Sequence, residues 1–163
     1  MNLDDINGII IQQAPLDDST PENMYPQIED HLIKAFHEQG NIDPVVFIFT
    51  KENVDIVLWM EGGIPYPALK FLYRGRATGY IMASESWYLE AKNWEDISHD
   101  IRPSESPDRK EGVILVGATK DDHWKKFTTW EIVRSGAGAD LIRNSLSSGT
   151  ETDFKLSSAL WDE

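Results

Sequence analysis

"TGYIMASESWYLE", residues 78–90, reads as one long β-strand. It is rich in aromatic residues, has no proline, and sorts into two sets when every second residue is taken. One set is Tyr80, Met82, Ser84, Ser86 and Tyr88; the other is Ile81, Ala83, Glu85, Trp87 and Leu89. The flanking sequence supplies partners. Upstream, "VVFIF" (45–49) and "VDIVLWM" (54–60) are β-rich runs joined by a polar turn around "KEN", the signature of a hairpin. Downstream, "GVILVGAT" (112–119) is apolar on both faces, which predicts a central strand. "DDHWKK" turns the chain, and "FTTWEIVR" (127–134) is the last clear strand.

Helical segments frame these strands. In "STPEN", Ser19 or Thr20 can cap a helix, and Pro21 suits its first turn, where a missing N–H costs nothing. Ile28, Leu32 and Phe36 follow at helical spacing with Ala35 beside them, Pro26 predicts a restart one turn in, and Gly40 and Asn41 stop the helix. "EGGIPYP" breaks the pattern, and "ALKFLYRGR" predicts a short helix opened by Pro67 and closed by Gly75. Near the start, "GIII" is a candidate edge strand; near the end, "SGAGADLIRNSL" predicts a small helix after its glycines.

The expected fold is therefore α+β, an antiparallel sheet of about five strands in the order α-β-β-α-β-β-β-(α) with helices packed on it. That order resembles the profilin-like and roadblock/longin sheet domains, which serve mainly as interaction or sensing modules. The expected organisation is an acidic N-terminal segment (1–20), a single α+β domain (21–146) and an acidic linker and tail (147–163), the tail able to dock through Phe154, Leu160 and Trp161.

Composition narrows the function. The 163 residues fit one domain, and 40% hydrophobic residues, with six Trp, five Tyr and six Phe, supply a core. There is no cysteine, which removes disulfides, thiolate chemistry and Cys-ligated zinc. The N-terminus lacks the basic region of a signal peptide, and no apolar run approaches a membrane span, so a cytoplasmic protein is expected. The formal net charge is −13, a sign that disfavours direct binding to nucleic acid. Seven carboxylates (Asp4, Asp5, Asp17, Asp18, Glu22, Glu29 and Asp30) precede the first cation, Lys34. Such a surface serves solubility, meets a basic partner, or imitates nucleic acid.

One residue breaks the strand's pattern. Glu85 falls between Ala83 and Trp87 on the more apolar set, and a buried carboxylate must pair, protonate or face a cavity. The connection from Glu90 to Gly112 is about twenty residues, a length that usually carries function. It contains "RPSESPDRKE" (102–111), whose prolines stiffen it and whose "SPDR" can turn Arg109 back across the sheet. Two readings follow. Arg109 or Arg102 pairs with Glu85 and pins the loop; or Glu85, Trp87, Arg102, Ser104, Glu105, Asp108 and Arg109 line a pocket or recognition surface. "SESW" followed by "RPSESPDRKE" and an apolar strand resembles a pattern in uncharacterised bacterial and phage proteins, over roughly residues 84–116. The resemblance implies a mobile-element setting and no particular reaction.

Other chemistry is thin. His31 and His37 lie on different faces of the first helix, whereas His99 and His123 sit beside carboxylates in turns. No HExxH, P-loop, GxGxxG or GxSxG motif occurs. Trp124 and Trp130 share a face with Thr128 and Ile132, as core residues would, and an exposed Tyr80–Met82–Tyr88 face would make a docking surface. The expectation is a non-enzymatic acidic module that binds a protein partner with a basic surface, without metal or cofactor. The alternatives are a small enzyme, with Glu85 as general base and Arg102 or Arg109 holding an anion, and a nucleic-acid mimic.

Overall fold

The computed structural model describes residues 8–59, 64–88, 109–120, 123–136, 138–143 and 160–161; the side chains of residues 86–88 are not described. In chain order the elements are β1 (Ile9–Pro15), α1 (Pro21–Gln39), β2 (Val45–Phe49), β3 (Asn53–Trp59), α2 (Tyr66–Tyr73), β4 (Gly79–Tyr88), β5 (Lys110–Thr119), β6 (Lys125–Ser135) and β7 (Gly138–Arg143). The strands form one seven-stranded sheet, ordered β1-β3-β2-β4-β5-β6-β7, and every neighbouring pair is antiparallel.

The fold is α+β with an antiparallel sheet, but the sheet has seven strands where five were expected. "GIII" opens a full edge strand, β1. The segment expected as a small helix after Ser135 is instead the opposite edge strand, β7. The reason is register: Ser135 pairs with Gly138, so the chain reverses at once and lays Ala139–Arg143 along β6. Gly138 has φ 146, a backbone geometry that side-chain-bearing residues rarely adopt.

Helix α1 starts as the sequence predicts. Thr20 accepts a hydrogen bond from the Asn23 amide at 3.2 Å, and the Asn23 side chain accepts from the Thr20 amide at 2.8 Å. This reciprocal capping satisfies two amides that have no partner inside the helix. Pro26 does not restart the helix, which runs through it unbroken. Gly40 ends it in the left-handed conformation at φ 76, donating its N–H to the Phe36 carbonyl.

Strand directions explain the layers. β1 and β2 run the same way, β3 and β4 the other way, and each pair is joined by a helix crossing one intervening strand. Both crossovers step in the same direction along the sheet. Connections of one hand must then place α1 and α2 on opposite faces. The buried side chains agree. Tyr25, Ile28, Leu32 and Phe36 of α1 pack with Phe49, Ile81, Ala83, Leu115, Trp130 and Ile132. Leu69 and Tyr73 of α2 pack with Val46, Ile48, Val57, Tyr80 and Val116 on the other face.

Leu160 completes that second face fully buried, and Trp161 donates its indole N–H to the Ala77 carbonyl at 3.2 Å. The expected exposed aromatic face of β4 is therefore not a surface at Tyr80, which has no exposure and lies 5.6 Å from the Trp161 ring. Phe154 lies outside the described residues. Trp124 and Trp130 both belong to the α1 face, as their spacing predicts.

Candidate functional site

Glu85 is half-buried near the far end of β4, opposite Val113 of β5. Its Oε1 accepts the Ile42 backbone N–H at 2.7 Å. Ile42 follows the Gly40 cap, so its amide has left the helix and requires an acceptor. A charged acceptor at that distance makes a strong bond. The carboxylate that breaks the strand's apolar pattern thus braces the turn between α1 and β2.

Two further charges occupy the same end of the same face. Alternation along β5 and β6 puts Glu111 and Arg134 on the side of Val113 and Trp130. Arg134 grips Glu111 with two parallel bonds, Nε to Oε2 at 3.0 Å and Nη2 to Oε1 at 2.7 Å. This is the fork geometry expected of a guanidinium on a carboxylate. The Arg134 hydrogen bond, outweighing the opposing effect of burial, holds the Glu111 carboxyl below its usual range. Glu111 in turn favours the protonated guanidinium, and the field of Glu85 adds to it. On the opposite face Lys110 approaches Glu131 at 3.8 Å. Arg109 is exposed immediately before β5.

Of the residues singled out in the sequence, Glu85 and Arg109 are described in full, and Trp87 through its backbone, opposite Glu111. Arg102, Ser104, Glu105, Asp108 and His99 lie outside the described residues. Sequence reasoning missed Glu111, Arg134 and the Ile42 amide. Glu111 is the last residue of the loop motif that drew attention to Arg109. Only the β5–β6 register brings Arg134 within reach of it.

Elsewhere among the described residues lie two buried polar networks and a shallow pocket. Under α1, the buried Tyr25 hydroxyl lies 2.7 Å from Thr128 Oγ1 and donates to the Leu115 carbonyl at 3.1 Å. Thr128 donates to Glu29 at 3.2 Å, and Glu29 faces Arg143 at 3.8 Å. Under α2, the Tyr73 hydroxyl donates to Asp55 Oδ2 at 2.8 Å, while buried Asp55 Oδ1 has no hydrogen-bond partner among the described residues. Burial pushes both phenols up, with the Asp55 bond as the second cause for Tyr73. A pocket of about 220 Å³ is lined by Thr50, Lys51, Glu52, Gly75 and Arg76. It is smaller than typical small-molecule sites of roughly 300–1,000 Å³. Among the described residues, no group of His, Asp or Glu gathers that could hold a metal ion, and His123 is exposed.

Exposed carboxylates are frequent along one stretch of the chain. Asp17, Asp18, Glu22, Asp30, Glu38 and Asp43 are all exposed on α1 and its flanking turns, and Lys34 is the single Lys or Arg up to Asp43. No protein-family model matches the chain, and no curated protein or solved structure matches it. No helix among the described residues is long and apolar enough to cross a membrane.

Proposed function

We propose that this chain is a non-enzymatic, acidic interaction module that binds a protein partner through a basic surface of that partner. The observation that carries this reading is the run of six exposed carboxylates from Asp17 to Asp43 around Lys34, an excess that Arg143 and Lys126, reaching α1 from the sheet, offset only in part. Such a surface raises the encounter rate with a cationic partner and repels polyanions. Glu85 supports the same reading from another side. One of its oxygens is spent on a backbone amide that the fold needs satisfied, which favours a bracing role over general-base chemistry.

In this proposal the region 85–111 supplies specificity, through Glu85, Trp87, Arg102, Ser104, Glu105, Asp108 and Arg109. The module works in the cytoplasm, in a phage or mobile-element setting, as the loop resemblance implies. In element order it resembles profilin-like and roadblock domains.

The test is a titration with fluorescent oligolysine, followed by anisotropy across a salt series. Binding is expected at low salt and should fall steeply as salt rises. The triple variant Asp17→Asn, Asp18→Asn, Glu22→Gln should weaken it, while Asp140→Asn, on β7 at the opposite edge of the sheet, should not. Equal loss from both variants, or no binding at low salt, overturns the reading.

A further inference from the structure

Among the described residues the sheet ends in two edges, β1 and β7, and they differ in charge. β7 reads GADLIR and carries Asp140 and Arg143, charges of the kind that discourage strand addition. β1 reads IIIQQAP over seven residues, without a charged side chain. It pairs with β3 along its whole length, from Ile9 opposite Trp59 to Pro15 opposite Asn53, with no bulge. Among the described residues nothing pairs with its other side. In an antiparallel ladder alternate residues turn their N–H and C=O groups away from the partner, so this edge presents a row of open donors and acceptors. Its one proline stands at the last position, where it leaves the row intact.

The side chains invite the same addition. Ile10 is 49% exposed and Ile11 39%, and as neighbours on a strand they stand on opposite faces. A segment laid along β1 would find an apolar neighbour on each side of the sheet. Charge then selects the segment. In sequence Asp4 and Asp5 precede the strand, Asp17 and Asp18 follow it, and no Lys or Arg occurs before Lys34, while the exposed Lys51 and Glu52 beside Asn53, which lies opposite Pro15, balance one another. Asp17 and Asp18 are exposed. Screening allows such charges to act over about 10 Å, roughly three strand residues. A second copy of the chain, itself at −13, would bring acidic flanks beside acidic flanks.

We infer that the outer edge of β1 takes up an extended, β-branched segment of the protein partner, flanked by cations, as an eighth strand. Backbone hydrogen bonds hold the segment, Ile10 and Ile11 cover its side chains, and the acidic sequence around β1, with Asp17 and Asp18 exposed beyond Pro15, selects a cationic segment. This rests on the acidic-module reading, which it deepens by naming the docking element and the chemistry of the docked segment.

The experiment uses the full chain and a synthetic peptide of alternating Thr and Val with a lysine pair at each end. Anisotropy gives affinity, and amide hydrogen exchange shows where protection is gained. Protection is expected on β1. The double variant Ile10→Lys, Ile11→Lys should weaken binding by about tenfold or more, because it removes apolar cover and sets cations against the lysines. Ile142→Lys places a single lysine at an exposed position of β7 and should change it by less than about twofold. Both variants should keep the far-ultraviolet spectrum of the parent; if the double variant does not, Gln12→Lys replaces it.

If the lysine peptide binds but protects no β1 amide, the edge proposal fails and the acidic-module reading stands. If a peptide with glutamates in place of the lysines binds equally well at β1, the edge stands and the charge selection fails. A dimer in solution that the double variant dissociates would mean that a second copy occupies the edge, which overturns the proposal.

Discussion

The two faces of the sheet are closed by different means. Helix α1, 19 residues long, covers one face and satisfies its buried polar groups in a chain from Leu115 and Tyr25 through Thr128 to Glu29. The other face is covered by the eight-residue α2 together with Leu160 and Trp161, from the far end of the sequence. There a carboxylate, Asp55, is buried with one oxygen bonded and the other without a partner among the described residues. On the first face this chain of bonds ties one continuous helix to β5 and β6. The second is assembled from separate pieces around a buried carboxyl with one oxygen unbonded among the described residues, and its cohesion should differ accordingly.

The sharpest way to break this contrast is to cut one large side chain on each face. Phe36→Ala on α1 removes a ring with no exposure and should cost about 3–5 kcal/mol. At about 2–4 °C for each kcal/mol in a domain of this size, Tm should fall by roughly 6–20 °C. Leu160→Ala should cost somewhat less, because it removes a smaller buried side chain. Equal losses of Tm would show that both faces melt as one unit and remove the distinction.

A smaller effect separates the two tyrosines. Tyr73→Phe takes away the donor to Asp55 Oδ2 and leaves the carboxylate buried without it, an expected loss of about 1–3 kcal/mol in urea unfolding. Tyr25→Phe should cost less, because Thr128 keeps its bond to Glu29. Both phenols have raised pKa in the fold, so both favour the folded state fully below the ordinary tyrosine pKa of about 10 and lose that contribution as pH climbs beyond it. Wild type should therefore weaken in alkali, and each Phe variant should show a flatter alkaline limb. A steeper limb for Tyr73→Phe would contradict the assignment.

The smallest effect belongs to the exposed pair at the sheet's end. Glu111 has a lowered pKa, so its contribution is present above the ordinary carboxyl pKa and disappears as pH falls through the folded value. Glu111→Gln should leave the neutral-pH melt nearly unchanged and reduce the acid sensitivity slightly. A large loss at neutral pH would mean that Arg134 and Glu111 hold the neighbouring Glu85 brace in place.

Much of the candidate site was visible in the residues, but its bonding was not. Glu85 stood out because a carboxylate interrupts an apolar alternation. Its partner is a backbone amide 43 residues earlier, and every residue has a backbone amide, so no sequence pattern marks that one. The two-proline loop pointed to Arg109, whereas the bidentate grip on a carboxylate here comes from Arg134, brought close by strand register.

What the residues settle alone is local. Thr20 and Asn23 cap α1, Gly40 ends it in a conformation glycine adopts without cost, and a two-sided apolar run places β5 between neighbours. These outcomes depend on contacts within a few positions. Three others waited for the assembled sheet. "GADLIR" has no strong preference of its own and becomes β7 because the open side of β6 pairs its backbone, which costs less than leaving those groups unpaired. Tyr80 is buried because α2 and Trp161 arrive from elsewhere in the chain. Among the described strands β1 is outermost because both crossovers step in the same direction along the sheet, a consequence of chain path that composition does not encode.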